Sequence, residues 1–203
     1  MTEPRSYHHG NLRAALIAAA ETVVQEQGHE AVSLRALAES LGVSRGAPYR
    51  HFPDREALLA EVALNGFTTM IVLLEKTNAE SLAPGEKLYA AGKQFLEFVR
   101  ANPKLFRLMY EAELLTGKDV HPQLAESQRL AYEGLYKLLA LALPRTTPQA
   151  RKLRLITMWS TLYGFAKICQ IGILQPYMKD GLDKDEIEMA VLNAAIGTPL
   201  KQV

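Results

Sequence analysis

Apolar side chains recur along most of this chain at spacings of three and four residues, the period of a helix that buries one face. No stretch alternates β-branched and polar residues as a half-buried strand does. The pattern therefore predicts an all-α fold. The predicted helices span residues 11–28, 33–41, 45–52, 54–77, 85–100, 103–115, 122–143, 148–174 and 183–196.

Two of the short predicted helices have clear start and stop signals. Ser33 and Ser44 are of the residue type that caps helix N-termini, Gly42 supplies the turn between them, and Pro53 ends the second. The first of the two has a single apolar stripe, formed by Leu34, Leu37, Ala38 and Leu41. Two capped short helices joined by a tight turn are the pattern of a helix-turn-helix, whose second helix enters the major groove of DNA.

The outer face of residues 45–51 has side chains suited to DNA. Arginine can bind guanine through two hydrogen bonds, tyrosine and histidine can donate to phosphate, and small residues let the backbone approach base edges. Residues 33 and 55 begin the flanking helices, where outward N–H groups favour a phosphate. The predicted DNA-binding residues are Ser33, Ser44, Arg45, Gly46, Ala47, Tyr49, Arg50, His51 and Arg55. Removing the charge of Arg45 or Arg55 should weaken DNA binding with little effect on folding.

The overall charge of the chain does not indicate a nucleic-acid-binding protein. The 203-residue chain has a formal net charge of +1, and residues 1–58 contain six Arg against seven Asp and Glu. The DNA hypothesis therefore depends on where the arginines lie, and a solvated face that binds another protein is the competing interpretation. The N-terminal Arg5, His8 and His9 have two interpretations, an arm in the minor groove and a solvated tail.

Residues 7–67 closely resemble the DNA-binding domain of the tetracycline-repressor (TetR) family, most specifically over AVSLRALAESLGVSRGAPYRHF, residues 31–52. The resemblance implies a homodimer with a DNA-binding domain at residues 9–69 and a divergent effector-binding and dimerisation domain at residues 70–203. It also implies that Arg55 and the polar groups of the second short helix contact DNA. Pro48 replaces a common aliphatic residue and lacks the N–H that would bond to the Ser44 carbonyl. We therefore expect a looser or more 3₁₀-like recognition helix.

The predicted helices after residue 78 are rich in aromatic and methionine side chains, several with a polar tip. Each one alone is better explained by a helical core, but the set suits a pocket for an apolar or amphipathic ligand. The candidates are Phe95, Phe98, Phe106, Met109, Tyr110, Tyr132, Tyr136, Met158, Trp159 and Tyr163. The sequence from Trp159 to Gly164 is similar to the Trp-x-x-x-His-Gly signature of one C-terminal subgroup, with Tyr163 in place of histidine.

These features predict a repressor that binds a palindromic double-stranded DNA operator and is released by an unidentified small-molecule effector. The family mechanism implies that the effector tilts helix 54–77, so that the recognition helices no longer fit half-sites about 34 Å apart. The dimer interface is expected on residues 151–174 and 183–196, which would form a four-helix bundle. The apolar stripe of the last helix is Ile187, Ala190, Val191 and Ala194.

Two other classes of protein compete with this interpretation. An enzyme is disfavoured because the sequence has no glycine-rich phosphate loop, no nucleophile with a placed base and no paired carboxylates in an apolar region. Glu111 and Glu113 lie on different helix faces, and no cofactor or metal site is expected. A DNA-organising or division-linked protein of the same fold, with no ligand, stays open.

The single cysteine and the apolar segments bear on the compartment. Cys169 excludes an intrachain disulfide and is predicted to be an inert thiol on a buried helix. The N-terminus has no signal-peptide core, and no uncharged apolar run long enough to span a membrane is apparent. We therefore expect a cytoplasmic protein with no membrane partner.

Overall fold

The computed structural model describes residues 12–112 and 121–197, and within them it has eight α-helices and no strand. The predicted all-α fold is confirmed. The helices are α1 (Leu12–Gln27), α2 (Leu34–Ser40), α3 (Arg55–Ala79), α4 (Pro84–Ala101), α5 (Pro103–Glu111), α6 (Pro122–Ala142), α7 (Pro148–Gln170) and α8 (Lys184–Ile196). Short 3₁₀ helices lie at His29–Ala31, Pro48–Arg50 and Pro176–Met178. The predicted arm (Arg5, His8, His9) and Glu113 lie outside the described residues.

Capping residues set several of the helix boundaries. Asp183 forms a capping box at the start of α8: its carboxylate accepts a hydrogen bond from the Asp185 N–H at 3.1 Å, and the Glu186 side chain accepts one from the Asp183 N–H at 2.9 Å. The predicted end of helix 148–174 at Leu174 is wrong. Helix α7 ends at Gln170 because Gly172 adopts a left-handed φ of +70°, which closes the C-terminus.

By its internal contacts the chain divides into two units. The N-terminal unit comprises the described parts of residues 1–67 and 104–126, and the C-terminal unit comprises residues 68–103 and the described part of 127–203. The boundary at residue 69 between the DNA-binding and the effector-binding domain stays a prediction. Helix α5 and the start of α6 group with the N-terminal unit although they follow α4 in the chain.

The N-terminal unit has a tightly packed core. Gly66 of α3 allows a close approach of α5, because a Cβ at this position would lie 2.4 Å from the Met109 sulfur. The Phe67 and Tyr110 rings meet edge to face, with their centroids 5.4 Å apart. The largest fully buried side chains here are Leu16, Val24, Leu58, Leu59, Val62, Phe67, Phe106, Leu108, Met109 and Leu124. Helix α1 contributes Leu16 and Val24 to this core.

The C-terminal unit is built around the packing of α4, α7 and α8. Gly92 of α4 permits a close crossing, since a Cβ there would lie 2.8 Å from a methyl carbon of Leu192. The face of α8 that packs within its own chain is Glu188, Leu192, Ala195 and Ile196. Of the predicted stripe, Ile187 and Val191 are half-buried, whereas Ala190 and Ala194 are exposed. The side of α8 that includes Ala190 and Ala194 is therefore exposed to solvent.

Among the described residues, α3 is the one helix long and apolar enough to cross a membrane by length and composition. Sequence analysis identified no such run. Within the N-terminal unit its apolar side chains Leu58, Leu59 and Val62 are buried in the protein core. Core helices pass the same test as spanning helices, so the apolar character of α3 is explained by this packing.

Candidate DNA interface and ligand cavity

Residues 44–52, which we call the recognition segment, do not form the predicted α-helix. A turn closed by the Ala47 N–H, which donates to the Ser44 carbonyl at 2.9 Å, leads into the 3₁₀ helix Pro48–Arg50. Ser44 therefore does not cap a helix as predicted. Pro48 has no N–H to bond with the Ser44 carbonyl, so the α-helical ladder cannot form there. The 3₁₀ character expected from Pro48 is confirmed.

The recognition segment turns its polar side chains to solvent and its apolar ones to the core. Tyr49 is 55% exposed although it is aromatic, whereas Pro48 and Phe52 are buried. Ala47 is half-buried. The other residues predicted at this surface are exposed, namely Ser33, Ser44, Arg45, Gly46, Arg50 and His51. The predicted contact set thus lies on accessible surface, apart from Ala47 and Arg55, which are half-buried.

The turn before this segment follows the sequence signals. The Ser33 hydroxyl accepts a hydrogen bond from the Ala36 N–H at 3.5 Å, so the predicted cap of α2 is confirmed. Gly42 adopts a left-handed φ of +67°, and the Val43 N–H donates to the Ala38 carbonyl at 2.9 Å. These bonds fix how the chain leaves α2 and enters the recognition segment.

Arg13 of α1, which sequence analysis missed, helps to anchor the recognition segment. Its guanidinium carbon lies 5.3 Å from the centroid of the Phe52 ring, and its Nη2 atom lies 2.7 Å from the Glu61 carboxylate of α3. One arginine therefore links α1, the end of the recognition segment and α3. The contact joins residues far apart in the chain, so no local sequence signal could have identified it.

Arg55 has a structural role that the sequence did not reveal. Its Nε atom donates to the Val32 carbonyl at 3.0 Å, and its Nη2 atom donates to the His29 carbonyl at 2.5 Å. Its Nη1 atom lies 3.1 Å from the Glu56 carboxylate. The side chain thus holds the connection between α1 and α2 onto the start of α3. These hydrogen bonds argue against the expectation that its removal would have little effect on folding, and its phosphate contact stays a prediction.

Helix α5 holds the same connection from another side. Arg107 pairs with Glu30 at 2.8 Å, and the Lys104 ammonium donates to the Glu26 carbonyl. A hydrogen bond to its own backbone, followed by the charges of His29 and Arg107, keeps the pKa of the Glu30 carboxyl below its ordinary value. The carboxylate is therefore ionised at neutral pH, and it joins α5 to the module that includes the recognition segment.

The C-terminal unit contains an apolar cavity of about 70 Å³ between α4, α6, α7 and the second half of α3. Phe95, Phe98, Met158 and Trp159 of the predicted ligand set line it, and the Phe95 and Trp159 rings lie 5.2 Å apart. None of the described residues that line it is charged, and Gln94 supplies the one amide. The Gln94 side-chain oxygen accepts a hydrogen bond at 2.9 Å from the hydroxyl of Thr77, which fixes the orientation of the amide.

Three of the predicted ligand residues lie elsewhere. Phe106, Met109 and Tyr110 belong to α5 and so to the N-terminal unit. Phe106 is fully buried there, and its ring lies 4.8 Å from that of Tyr110. Phe106 and Met109 are core residues, which was the alternative considered for them from the sequence, and Tyr110 is half-buried.

Another three predicted residues belong to the C-terminal unit but do not line the cavity. Tyr132 and Tyr136 stack on each other along α6 with centroids 6.1 Å apart, and Arg151 lies over the Tyr136 ring at 5.9 Å. Tyr163 lies 6.2 Å from Trp159, on the next turn of α7. Helical spacing alone could not distinguish these positions from the cavity-lining ones.

Comparison with known protein families accounts for most of the chain. Residues 16–62 match the bacterial regulatory proteins of the tetR family, and residues 88–194 match the tetracyclin repressor-like C-terminal domain. The chain belongs to the TetR family. As a member, it is a bacterial regulatory protein with a DNA-binding helix-turn-helix unit, and its family and fold are those of transcriptional regulators. The subgroup signature at Trp159 stays a prediction.

Two characterised proteins align with parts of this TetR-family chain. The transcriptional activator FasR of Mycolicibacterium smegmatis is 24% identical over 137 residues, which is 68% of this chain and 61% of FasR. The nucleoid occlusion factor SlmA of Haemophilus ducreyi is 34% identical over 88 residues, 41% of this chain and 42% of SlmA. The chain thus spans less than two thirds of either relative.

Solved structures of the same fold extend over nearly the whole TetR-family chain. A protein of unknown function from a Rhodococcus species is 30% identical with a TM-score of 0.78, covering 96% of this chain and 98% of that one. The TetR-family regulator PfmR of Thermus thermophilus is 20% identical with a TM-score of 0.65, covering 92% and 99%. These likenesses confirm the predicted fold class, an N-terminal helix-turn-helix domain followed by a larger helical domain.

Proposed function

We propose that this TetR-family regulator binds a palindromic DNA operator as a homodimer, represses transcription there, and is released by a small apolar or amphipathic effector. The observation that carries the proposal is the recognition segment. Its polar groups at Arg45, Tyr49, Arg50 and His51 are all exposed, while the buried Pro48 anchors the segment to the core. The protein is proposed to act in the cytoplasm.

The DNA contacts divide by chemistry. Arg45 precedes the 3₁₀ helix and is exposed, so it is assigned to a guanine edge, where a bidentate pair gives about 1–3 kcal/mol of discrimination. Tyr49 and His51 are assigned to phosphate oxygens, together with the N-terminus of α2 at Ser33. Small Gly46 lets the backbone come close to the bases.

The homodimer is proposed to form through the outer faces of α7 and α8. Leu153 and Ile156 of α7 are about three-fifths exposed, at 60% and 59%, which is unusual for large aliphatic side chains on one helix. Ala190 and Ala194 of α8 are exposed and small, so a helix of the second copy could approach closely. A two-fold axis through this surface would produce a four-helix bundle.

The effector is proposed to occupy the cavity beside Trp159. At about 70 Å³ it is roughly half the size of an engineered cavity that binds benzene in another protein. An effector must therefore widen it, and the flexible side chains of Met70 and Met158 in its wall make that inexpensive. An effector that favours a widened state and DNA that favours the narrow one would oppose each other reciprocally.

A second candidate function is DNA organisation linked to cell division, without an effector. The alignment with the nucleoid occlusion factor SlmA favours it. The two functions make the same DNA contacts and differ in whether a small molecule changes the affinity.

The test is binding of the full chain to labelled duplexes selected from a random pool, measured by fluorescence polarisation. We expect a palindromic sequence, two chains per duplex, and an affinity that falls steeply with salt. Arg45→Ala should weaken binding about tenfold or more, whereas Lys137→Ala, at an exposed lysine of α6, should not change it. Failure to select any palindrome, with no duplex affinity in dilute buffer, would exclude the proposal.

The same assay separates the two candidate functions. A fraction of the cell's small molecules that weakens operator binding supports the effector-controlled regulator, and the loss of that response in a cavity-filling variant such as Ala131→Trp would locate the site. No response to any small-molecule fraction by a protein that binds its palindrome normally favours the DNA-organising alternative.

A further inference from the structure

A second, larger cleft of about 640 Å³ lies in the C-terminal unit and shares none of its lining residues with the cavity beside Trp159. Its walls come from the ends of α4 and α7, the connection between α7 and α8, and the first turn of α8. Much of the wall is apolar, with Leu96, Phe165, Leu182 and Ile187 among the lining side chains. The volume is in the usual range of small-molecule sites, about 300–1,000 Å³.

The charges that line this cleft are unbalanced. Three cations, Arg100, Lys179 and Lys184, face one carboxylate, Glu188. Arg100 donates a hydrogen bond to the Glu188 carboxylate, so that acid is already neutralised by a partner. Within the described part of the chain, Lys179 and Lys184 form no ion pair. The cleft therefore has two uncompensated positive charges beside an apolar wall.

Gln170 independently indicates that a hydrogen-bond acceptor belongs in the cleft. This residue lines the cleft, and its side-chain nitrogen is buried and has no hydrogen-bond partner among the residues that the structure describes. A buried N–H donor without an acceptor is unfavourable, and a ligand oxygen would satisfy it. The cations and this donor both suit the same chemical group, an oxyanion.

We propose that the cleft binds an amphipathic monocarboxylate, with its alkyl or aryl body against Leu96, Phe165 and Ile187 and its carboxylate near Lys179 and Lys184. Apolar contact supplies much of the binding free energy, and charge-assisted hydrogen bonds select an anion over a neutral or cationic analogue. The site is distinct from the proposed effector cavity, whose described lining has no charge. The chain would thus bind two chemically different ligands.

The single cysteine of the chain, Cys169, lines this cleft and is exposed. The expectation of a buried thiol is therefore wrong. Partial burial raises the pKa of the Cys169 thiol, an effect that outweighs the nearby Arg100 charge, so the thiol reacts slowly but at one position only. A neutral thiol reagent is consequently a site-specific reporter of whether the cleft is occupied.

The experiment measures the rate at which N-ethylmaleimide labels the full-length protein at fixed pH and ionic strength. A bound ligand buries most of its own surface in such a site, so saturating octanoate should slow labelling by about fivefold or more. Acetate, 1-octanol and octylammonium at the same concentration should slow it by less than about twofold, because each lacks the apolar body or the negative charge. Equal protection by acetate, by octanol or by octylammonium would overturn the proposal.

Variants locate the carboxylate. Lys179→Gln combined with Lys184→Gln should raise the octanoate concentration needed for half protection by about tenfold, the loss of one or two charge-assisted hydrogen bonds. The matched control is Lys137→Gln with Lys76→Gln, two exposed lysines outside the cleft and outside the proposed dimer interface, which should leave protection unchanged. Unaltered protection in the first variant would overturn the assignment. Labelling that slows as the concentration of ligand-free protein rises would show that a second copy covers the cleft, and would overturn it as well.

Discussion

The two units of this chain use their packing in opposite ways. The N-terminal unit closes a dense core, with Phe106, Leu108 and Met109 fully buried, and presents its DNA-facing side chains on the outside. The C-terminal unit leaves space inside, a small apolar cavity and a larger cationic cleft. One unit needs rigidity to hold exposed groups in register, and the other needs room to accept a ligand.

The two sites also differ in how far apart their residues lie in the chain. The candidate DNA interface is formed by residues 33–55, within one short stretch. The cavity takes residues from α3, α4, α6 and α7, so its wall exists only when four helices come together. A contiguous site can be recognised from local signals, whereas a dispersed one depends on packing.

The largest expected effect on stability distinguishes an aromatic residue of the N-terminal core, Phe106, from one that lines the cavity, Phe95. Phe106→Ala should lower the free energy of unfolding by about 3–5 kcal/mol and abolish DNA binding, because it opens a cavity in the N-terminal core. Phe95→Ala, at the wall of an existing cavity, should be less destabilising and should alter the effector response. Chemical denaturation followed by circular dichroism measures the first, and operator binding measures the second. A Phe106→Ala protein of normal stability with a changed effector response would place that ring at the ligand site after all.

A smaller effect on stability should distinguish Arg55 from Arg45, two arginines for which the sequence predicted the same role. Arg55→Ala should lower the free energy of unfolding by about 1–3 kcal/mol, because the carbonyls of His29 and Val32 lose their donor. Arg45→Ala is expected to stay within about 0.5 kcal/mol of the parent and to act on DNA affinity alone. Thermal denaturation of both variants, run beside the polarisation assay, checks the pair. Equal stabilities would mean that the Arg55 hydrogen bonds contribute nothing net.

The smallest effect concerns the ion pair between α5 and the connection from α1 to α2. The pKa of Glu30 is lowered in the folded protein, so its stabilisation is present above its unfolded pKa, about 4.3, and is lost as the pH falls through the folded value. Glu30→Gln should therefore be less stable than the parent at neutral pH, with the difference vanishing in acid. Arg107→Gln should remove part of the same difference, since its charge is one cause of the shift. Urea denaturation at several pH values measures it, and a difference that grows in acid would contradict the assignment.

Much of the fold could be predicted because its signals act within a few residues. Apolar periodicity, the cap at Ser33, the left-handed turn at Gly42 and the missing N–H of Pro48 each constrain the backbone over at most one helical turn. Two local predictions were wrong. Ser44 has the right chemistry for a cap, but Pro48 prevents the helix it would cap, and Gly172 ends α7 before the apolar pattern ends.

The amino-acid sequence by itself determined most of the α-helices, the turn at Gly42 and the exposed face of the recognition segment, because these depend on neighbours in the chain. Only the tertiary structure decided that Arg55 bonds to carbonyls more than twenty residues away, that Arg13 braces Phe52, and that α5 joins the N-terminal unit. It also divided one set of aromatic residues between a core and a cavity. The position of a side chain along a helix determines which face it lies on, whereas its function depends on what packs against that face.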